Sequence, residues 1–290
     1  MGIEEKNPRF TSKDDRLLLA FALIKLLLHL LVNATTAYGY FRDELYYMAC
    51  SEHLDMGYVD QPPFSIYVLA VSRMVLGDSL IGLRFLPALA GAASVYMTGL
   101  LARELGGSRF AQALAAIAAL CSTIFLGMNS IYSMNSFDIL FWTLSAYLVV
   151  LLLKSESPRY WLLLGVVLGL GLLNKIGVLW LGFGITAGFL LTSNRWWFKT
   201  RWPWIAVAIA AVLFLPYLIW NLLNDMAHVE FIRNATGGKY SSLTPIRFLS
   251  EQFLINNPFA VPVWLAGLWF FFGRNRERNF VFSAGSMLQR

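Results

Sequence analysis

The sequence predicts an all-α protein whose helices cross a membrane several times. Hydrophobic residues make up 58% of the 290 residues, charged residues make up 14%, and the mean hydropathy is +0.59. A soluble domain has about 45–50% apolar and about 25% charged residues, so a single water-exposed core could not hide this much apolar surface. Several apolar runs also approach the ~20 residues that a helix needs to cross the hydrocarbon core.

Eight apolar runs define the predicted membrane helices. The spans are expected at about 17–36, 80–102, 109–129, 137–153, 160–174, 176–193, 203–222 and 258–273. The N-terminal segment is mixed in charge and no small-residue cleavage site follows the first run, so that run is expected to be a retained span. The predicted domains are a cytoplasmic segment 1–16, a transmembrane domain 17–273 and a basic cytoplasmic tail 274–290.

The basic residues predict the orientation of these spans. With the N-terminus in the cytoplasm, fifteen of the 23 Lys and Arg residues fall in cytoplasmic segments, seven fall on the other side, and Lys25 lies within the first span. This bias is typical of membrane proteins, whose cytoplasmic loops are rich in Lys and Arg. Two long segments, 37–79 and 223–257, then face outward. The net charge of +6 comes from basic residues that lie mainly in the loops between apolar runs. Nucleic acid is therefore not an expected partner.

The first outer segment is predicted to contain two short helices. Apolar residues at helical spacing within 44–56 indicate an amphipathic helix that lies on the membrane and ends at Gly57. A pair of prolines then begins an apolar helix over 64–76, which Gly77 ends. Because this second helix is too short to cross the bilayer, it is expected to be interfacial or re-entrant.

Acidic residues of the outer segment are candidates for proton transfer. In Arg42-Asp43-Glu44 an acid stands beside an arginine, and a neighbouring cation favours the ionised carboxylate that a general base needs. The alternative is a solvated loop in which Asp43 caps a helix. Asp60, with Gln61 and two prolines after it, forms either the turn that starts a helix or a polar rim over a cavity.

Two further candidates lie at the outer ends of spans. Asp138 is expected at the mouth of the fourth span, where it is either an interfacial cap or a substrate ligand. Lys175 is either a lysine that reaches to the membrane surface or a point charge that binds a lipid phosphate. Lys25 and His29 are four residues apart on the first helix and form either a proton relay or a polar pair that faces the bundle. The sequence has no phosphate loop, nucleophile elbow or zinc-ligand spacing.

The stretch 40–47, followed by Asp60-Gln61-Pro62-Pro63, resembles the first outer loop of the glycosyltransferase family 39 superfamily. The stretches 135–142 and 169–177 resemble later family positions, and the likeness extends over most of residues 15–273. The superfamily includes protein O-mannosyltransferases, the lipid A aminoarabinose transferase and bacterial galacturonosyltransferases of lipopolysaccharide. The resemblance implies a GT-C-type helical bundle, here with about eight spans and interfacial helices in the first outer loop.

The resemblance also implies an activity at the outer face of the cytoplasmic membrane. Such enzymes transfer a sugar, with inversion, from a polyprenyl-phosphate donor to a hydroxyl of a lipid, glycan or protein. Asp43 is then the expected general base, and Glu44 supports it or binds substrate. Lys175 is expected to hold the donor phosphate, and Asp138 to orient sugar or acceptor. The predicted substrate-binding residues are Arg42, Asp60, Gln61, Asp138, Lys175 and Lys239.

This chain departs from the superfamily pattern in two respects. Some relatives carry a lysine where this chain has Gln61, so a phosphate contact there is not expected. Family members are usually much longer, so this chain is expected to be a truncated or minimal form. No cofactor or metal site is predicted, although a divalent cation is left open. The alternatives are a transporter or flippase that uses Lys25, His29 and Lys175, and a non-catalytic homologue.

Overall fold

The computed structural model describes residues 12–239 and 244–273, and all regular structure in these ranges is helical. The α-helices are α1 Ser12–Thr35, α2 Arg42–Glu52, α3 Phe64–Leu76, α4 Leu80–Glu104, α5 Arg109–Cys121, α6 Thr123–Asn129, α7 Met134–Ser155, α8 Arg159–Asn174, α9 Val178–Leu190, α10 Trp202–Leu223, α11 Ala227–Asn234, α12 Pro245–Ile255 and α13 Val261–Gly273. The predicted tail 274–290 lies outside the described residues.

Four helices, α1, α4, α7 and α10, are long and apolar enough to cross a membrane. The pair α5 and α6 forms a fifth candidate that is bent by 59°. The other predicted spans correspond to α8, α9 and α13, which have 16, 13 and 13 residues. At about 1.5 Å per residue these helices are shorter than the ~30 Å hydrocarbon core. The prediction of an all-α multi-pass membrane protein is confirmed, and four or five helices among the described residues have the length and composition to cross a membrane.

The third predicted span is broken, whereas the sequence indicated one continuous helix over 109–129. Ser122, between α5 and α6, has the extended backbone angles φ −62° and ψ 121°. The carbonyl oxygen of Cys121 accepts a hydrogen bond of 3.0 Å from Nδ2 of Asn257. In a continuous helix that carbonyl would accept from the backbone four residues later. A side chain from a distant part of the chain therefore replaces the helical bond at the bend.

The bundle is held together by close helix packing. The helix α4 contacts α1, α5 and α7, while α8 contacts α7 and α10. A Cβ atom built on Gly165 of α8 would lie 2.6 Å from the carbonyl oxygen of Ala206 in α10. A Cβ atom on Gly169 would lie 3.0 Å from Cα of Ala210. Small residues at these positions let the two backbones approach, as is common between membrane helices.

Ion pairs show which segments share an end of the bundle. At one end Arg103 lies 2.7 Å from Asp15, and Lys154 lies 2.6 Å from Glu104. The other end, which we call the α2 end, contains α2, α3, α11 and the linkers that precede α7 and α9. This division agrees with the alternation of loops in the predicted topology. The side of the membrane that each end faces stays a prediction.

The first outer segment has the two predicted helices, with one boundary placed wrongly. The second, α3, has the expected bounds and ends at Gly77, whose φ is +73°. The first, α2, ends at Glu52, and so Gly57 does not terminate it. A Cβ atom on Gly57 would lie 2.5 Å from the Trp220 ring, so glycine is required there for the loop to pack on α10. Asp43 lies within the first turn of α2 and is not its N-cap.

Candidate functional site

The α2 end contains a cavity of about 560 Å³, which we call the site cavity. Its polar lining residues are Asp60, Lys175 and His228, from the loop before α3, the linker before α9 and the helix α11. Apolar side chains such as Trp180 and Phe231 form most of the wall. An apolar cavity with a few convergent polar groups is the usual form of a small-molecule site.

Asp60 is held in place from α2. The Tyr46 hydroxyl donates a hydrogen bond of 2.7 Å to Oδ1 of Asp60. Burial and this hydrogen bond raise the pKa of Tyr46 above its usual value, so the phenol remains a neutral donor. The same loop is anchored by Asp55, which accepts a hydrogen bond of 2.8 Å from the Trp220 indole. The loop between α2 and α3 is therefore held by α2 at Asp60 and by α10 at Asp55.

Lys175 is positioned by two residues at the start of α7. Its Nζ donates a hydrogen bond of 2.8 Å to Oδ1 of Asn135 and lies 3.5 Å from Oδ2 of Asp138. These two residues are three apart and so share one face of the helix. The lysine side chain is 36% exposed, which leaves its ammonium accessible from the cavity. Asp138 does not line the cavity, and its contact is with Lys175.

His228 is a cavity residue that the sequence did not single out. Its Nδ1 lies 3.0 Å from the carbonyl oxygen of Val59, and a carbonyl can only accept, so we assign the proton to Nδ1 and the lone pair to Nε2. Burial lowers the pKa of His228 below its usual value, which favours the neutral imidazole. The sequence gives no local signal for this histidine, because its contact with Val59 joins two residues that are far apart in the chain.

Asp43 and Arg42 lie in the first turn of α2 and do not line the site cavity. They form an exposed ion pair of 3.2 Å, in which the Asp43 side chain is about half exposed. Asp43 precedes Tyr46 and Tyr47 by one helical turn, so the three residues share a face of α2. Burial raises the pKa of Tyr47, and the negative charges of Asp60 and Asp43 act in the same direction.

The other predicted site residues whose side chains the structure describes do not line the cavity. Glu44 is fully buried and forms an ion pair with Arg84, which favours a supporting role over contact with substrate. Gln61 is also buried, with neither amide atom hydrogen-bonded. The side chain of Lys239 lies outside the described residues. Lys25 and His29 are buried inside the bundle. In the described ranges, no group of three or more His, Cys, Asp or Glu residues could hold a metal ion.

Comparison with known proteins finds a family model and curated relatives that resemble this chain. Residues 60–220 match the family model of dolichyl-phosphate-mannose-protein mannosyltransferases. The undecaprenyl phosphate-alpha-4-amino-4-deoxy-L-arabinose arabinosyl transferase 1 of Pseudomonas fluorescens is 27% identical over 208 residues, which is 69% of this chain and 37% of the relative. The lipid A galacturonosyltransferase RgtD of Rhizobium johnstonii is 27% identical over 249 residues, 84% of this chain and 51% of the relative.

The chain spans about half the length, or less, of these curated relatives. No solved structure matches it significantly. The matched family segment nevertheless contains most of the helices that build the site cavity, together with Asp60 and Lys175. Because the family model covers more than half of the chain, the protein belongs to the dolichyl-phosphate-mannose-protein mannosyltransferase family of the GT-C glycosyltransferase superfamily.

Proposed function

We propose that this protein is a membrane glycosyltransferase that moves a sugar from a polyprenyl-phosphate donor to a hydroxyl of a lipid, glycan or protein acceptor. The reaction takes place at the α2 end, on the non-cytoplasmic side of the cytoplasmic membrane. The observation that supports the proposal most strongly is the site cavity, which is lined by Asp60, Lys175 and His228 together with apolar side chains. It offers a cation for a phosphate, hydrogen-bonding groups for a sugar and apolar surface for a lipid.

The donor lipid would find apolar surface on both sides of α9. A cavity of about 380 Å³ lies between α8, α9 and α10, and another of about 530 Å³ lies between α7 and α9. Leu179 and Phe183 line both the first cavity and the site cavity, and Trp180 lines both the second and the site cavity. These shared residues support a path for the lipid tail that leads away from the phosphate position at Lys175.

In the proposed reaction, the acceptor oxygen attacks the anomeric carbon from the face opposite the phosphate. The new glycosidic bond forms while the bond from carbon to phosphate oxygen breaks, and polyprenyl phosphate leaves. Lys175 stabilises the negative charge that develops on the leaving phosphate. Asp43 lies at the same end of the bundle, outside the cavity wall and about half exposed. It accepts the proton of an acceptor hydroxyl that approaches from outside the cavity, a contribution of about 10²–10⁴-fold for general-base catalysis. Asp60 and His228 hold hydroxyl groups of the sugar.

A transporter of lipid-linked sugars is the second candidate. The bent pair α5–α6 and the buried Lys25 and His29 of α1 favour it, because transporters often place polar groups beside broken helices. Against it, the acids and Lys175 of the site collect at one end of the bundle and not at its middle. A non-catalytic homologue is the third outcome that an experiment must separate.

Donor consumption distinguishes these candidates. The purified full chain is placed in liposomes that contain a radiolabelled polyprenyl-phosphate sugar and a mixture of acceptor lipids. The enzyme is expected to release polyprenyl phosphate and to label an acceptor. A transporter would move the intact donor across the bilayer without cleaving it. Intact, unmoved donor would indicate a non-catalytic protein, and either of the last two results would contradict the proposal.

A further inference from the structure

A buried ion pair joins α2 to α4 behind the site cavity. The side chains of Glu44 and Arg84 are 0% and 4% exposed. Nε of Arg84 donates to Oε1 of Glu44 at 2.8 Å, and Nη2 donates to Oε2 at 2.6 Å. Two parallel bonds fix the plane of the carboxylate as well as its position. Truncating either partner alone would leave a buried charge without its counter-ion.

The same two side chains bind the backbone of two neighbouring segments. Glu44 accepts hydrogen bonds from the backbone N–H groups of Phe41 at 2.7 Å and Tyr132 at 2.8 Å. Arg84 also donates to the carbonyl oxygen of Gly39 at 3.0 Å. The pair therefore ties the linker before α2, the first turn of α2 and the linker before α7 to α4.

The proposed base and the residues that hold the phosphate-binding lysine both follow these anchored segments in the chain. Asp43 is the chain neighbour of Glu44 in the first turn of α2. On the other side, the linker that Glu44 holds at Tyr132 leads directly into α7. Asn135 in the first turn of α7 carries the hydrogen bond to Lys175. The buried pair thus holds Asp43 directly, through its chain neighbour Glu44. It reaches Lys175 only indirectly, through the linker before α7 and Asn135.

We propose that Arg84 is a positioning residue for the transfer reaction. Through Glu44 it holds the first turn of α2, and with it Asp43, in the orientation that proton transfer requires. The inference rests on the proposed function. Arg84 does not line the site cavity, and the contacts between Lys175, Asn135 and Asp138 do not involve it. Its replacement should therefore slow the chemical step and leave donor binding nearly unchanged.

The variant Arg84→Lys tests this inference, because it retains the charge and loses the geometry. An ammonium cannot donate two parallel bonds to Glu44 and also reach Gly39. We expect kcat to fall by about 10-fold or more and the donor KM to change by less than about threefold, since small displacements of a catalytic group are costly. The matched control is Arg73→Lys. Arg73 also pairs with two acids of the outer segment, outside the cavity, and should keep the wild-type kcat.

A structural readout separates positioning from loss of fold. Cys50 lies on the buried face of α2, and in a Cys121→Ser background it reports on the packing of that helix. It should stay protected from maleimide in Arg84→Lys. If that variant does not fold, the double variant Glu44→Gln/Arg84→Met removes both charges, is expected to fold, and should show the same low kcat.

Three results would overturn the inference. The first is wild-type kcat in a folded Arg84 variant. The second is a fall in kcat only in variants whose Cys50 becomes reactive, because Arg84 would then be needed for the fold alone. The third is a loss of donor binding that accounts for the whole effect. An inactive wild-type protein would instead contradict the proposed function, and the inference would fall with it.

Discussion

Among the described residues that line the site cavity, Lys175 is the cation that can bind a donor phosphate. Replacing it with methionine keeps much of the side-chain volume and removes the charge. Because a hydrogen bond to a charged group contributes about 1.5–3 kcal/mol, we expect Lys175→Met to raise the donor KM by about 10- to 100-fold. The matched control is Lys154→Met, which breaks a lysine–acid pair at the opposite end of α7 and should leave the donor KM unchanged. An unchanged KM in Lys175→Met would place the phosphate elsewhere.

His228 should make the stability of the protein depend on pH. Burial lowers its pKa in the folded state, so below pH 6.5 the unfolded chain binds a proton that the folded chain resists. Stability should therefore be constant above the ordinary histidine pKa and decline as the pH falls through it. His228→Gln should reduce this decline when thermal unfolding in detergent is compared between pH 7.5 and 5.5. Identical slopes for variant and wild type would show that His228 is not responsible.

At the scale of elements, the packing of α8 on α10 depends on glycine. In Gly165→Ala the new Cβ atom would meet the Ala206 carbonyl oxygen at 2.6 Å, a contact that flexible side chains cannot relieve. We expect the free energy of unfolding to fall by about 1–3 kcal/mol, as for other overpacked sites. The control Gly182→Ala in α9 has nothing within 4 Å and should be neutral or stabilising. Chemical unfolding in detergent measures both, and equal effects would refute close packing as the cause.

The elements that the sequence predicted well are those with local signals. The prolines before α3 and Gly77 after it determine both ends of that helix, and α4 and α10 follow long apolar runs. The bend between α5 and α6 and the packing of Gly57 in the loop after α2 depend on contacts from distant residues. Asn257 binds the carbonyl at the bend, and Trp220 packs on Gly57. Such contacts leave no local pattern in the chain.

The candidate site shows the same division between local and distant signals. Acidic and basic residues beside spans pointed to Asp43, Asp60, Asp138 and Lys175, and the structure brings all four to the α2 end. The sequence could not separate residues that line the cavity from those behind it. Glu44 looks like a second catalytic acid in the chain, and only its burial against Arg84 reveals a structural partner.

The orientation of the whole molecule is predicted by the bias of its basic residues. In a background without Cys50 and Cys121, Leu54→Cys lies in the loop after α2 and Ser155→Cys lies at the opposite end. A membrane-impermeant maleimide applied to intact cells should label the first and should label the second only after lysis. The reverse pattern would place the site cavity in the cytoplasm and remove the basis of the proposed reaction.

The turnover of Asp43→Asn tests the central claim most directly, because an amide keeps the shape of the side chain and cannot accept the proton. Transfer from a polyprenyl-phosphate sugar should slow by ~10²-fold or more, while thermal stability stays close to that of the wild type. Asp60→Asn, measured in parallel, should mainly raise the donor KM, since Asp60 lines the cavity that holds the sugar. Wild-type turnover in Asp43→Asn, with turnover lost in Asp60→Asn instead, would contradict the account and make Asp60 the base.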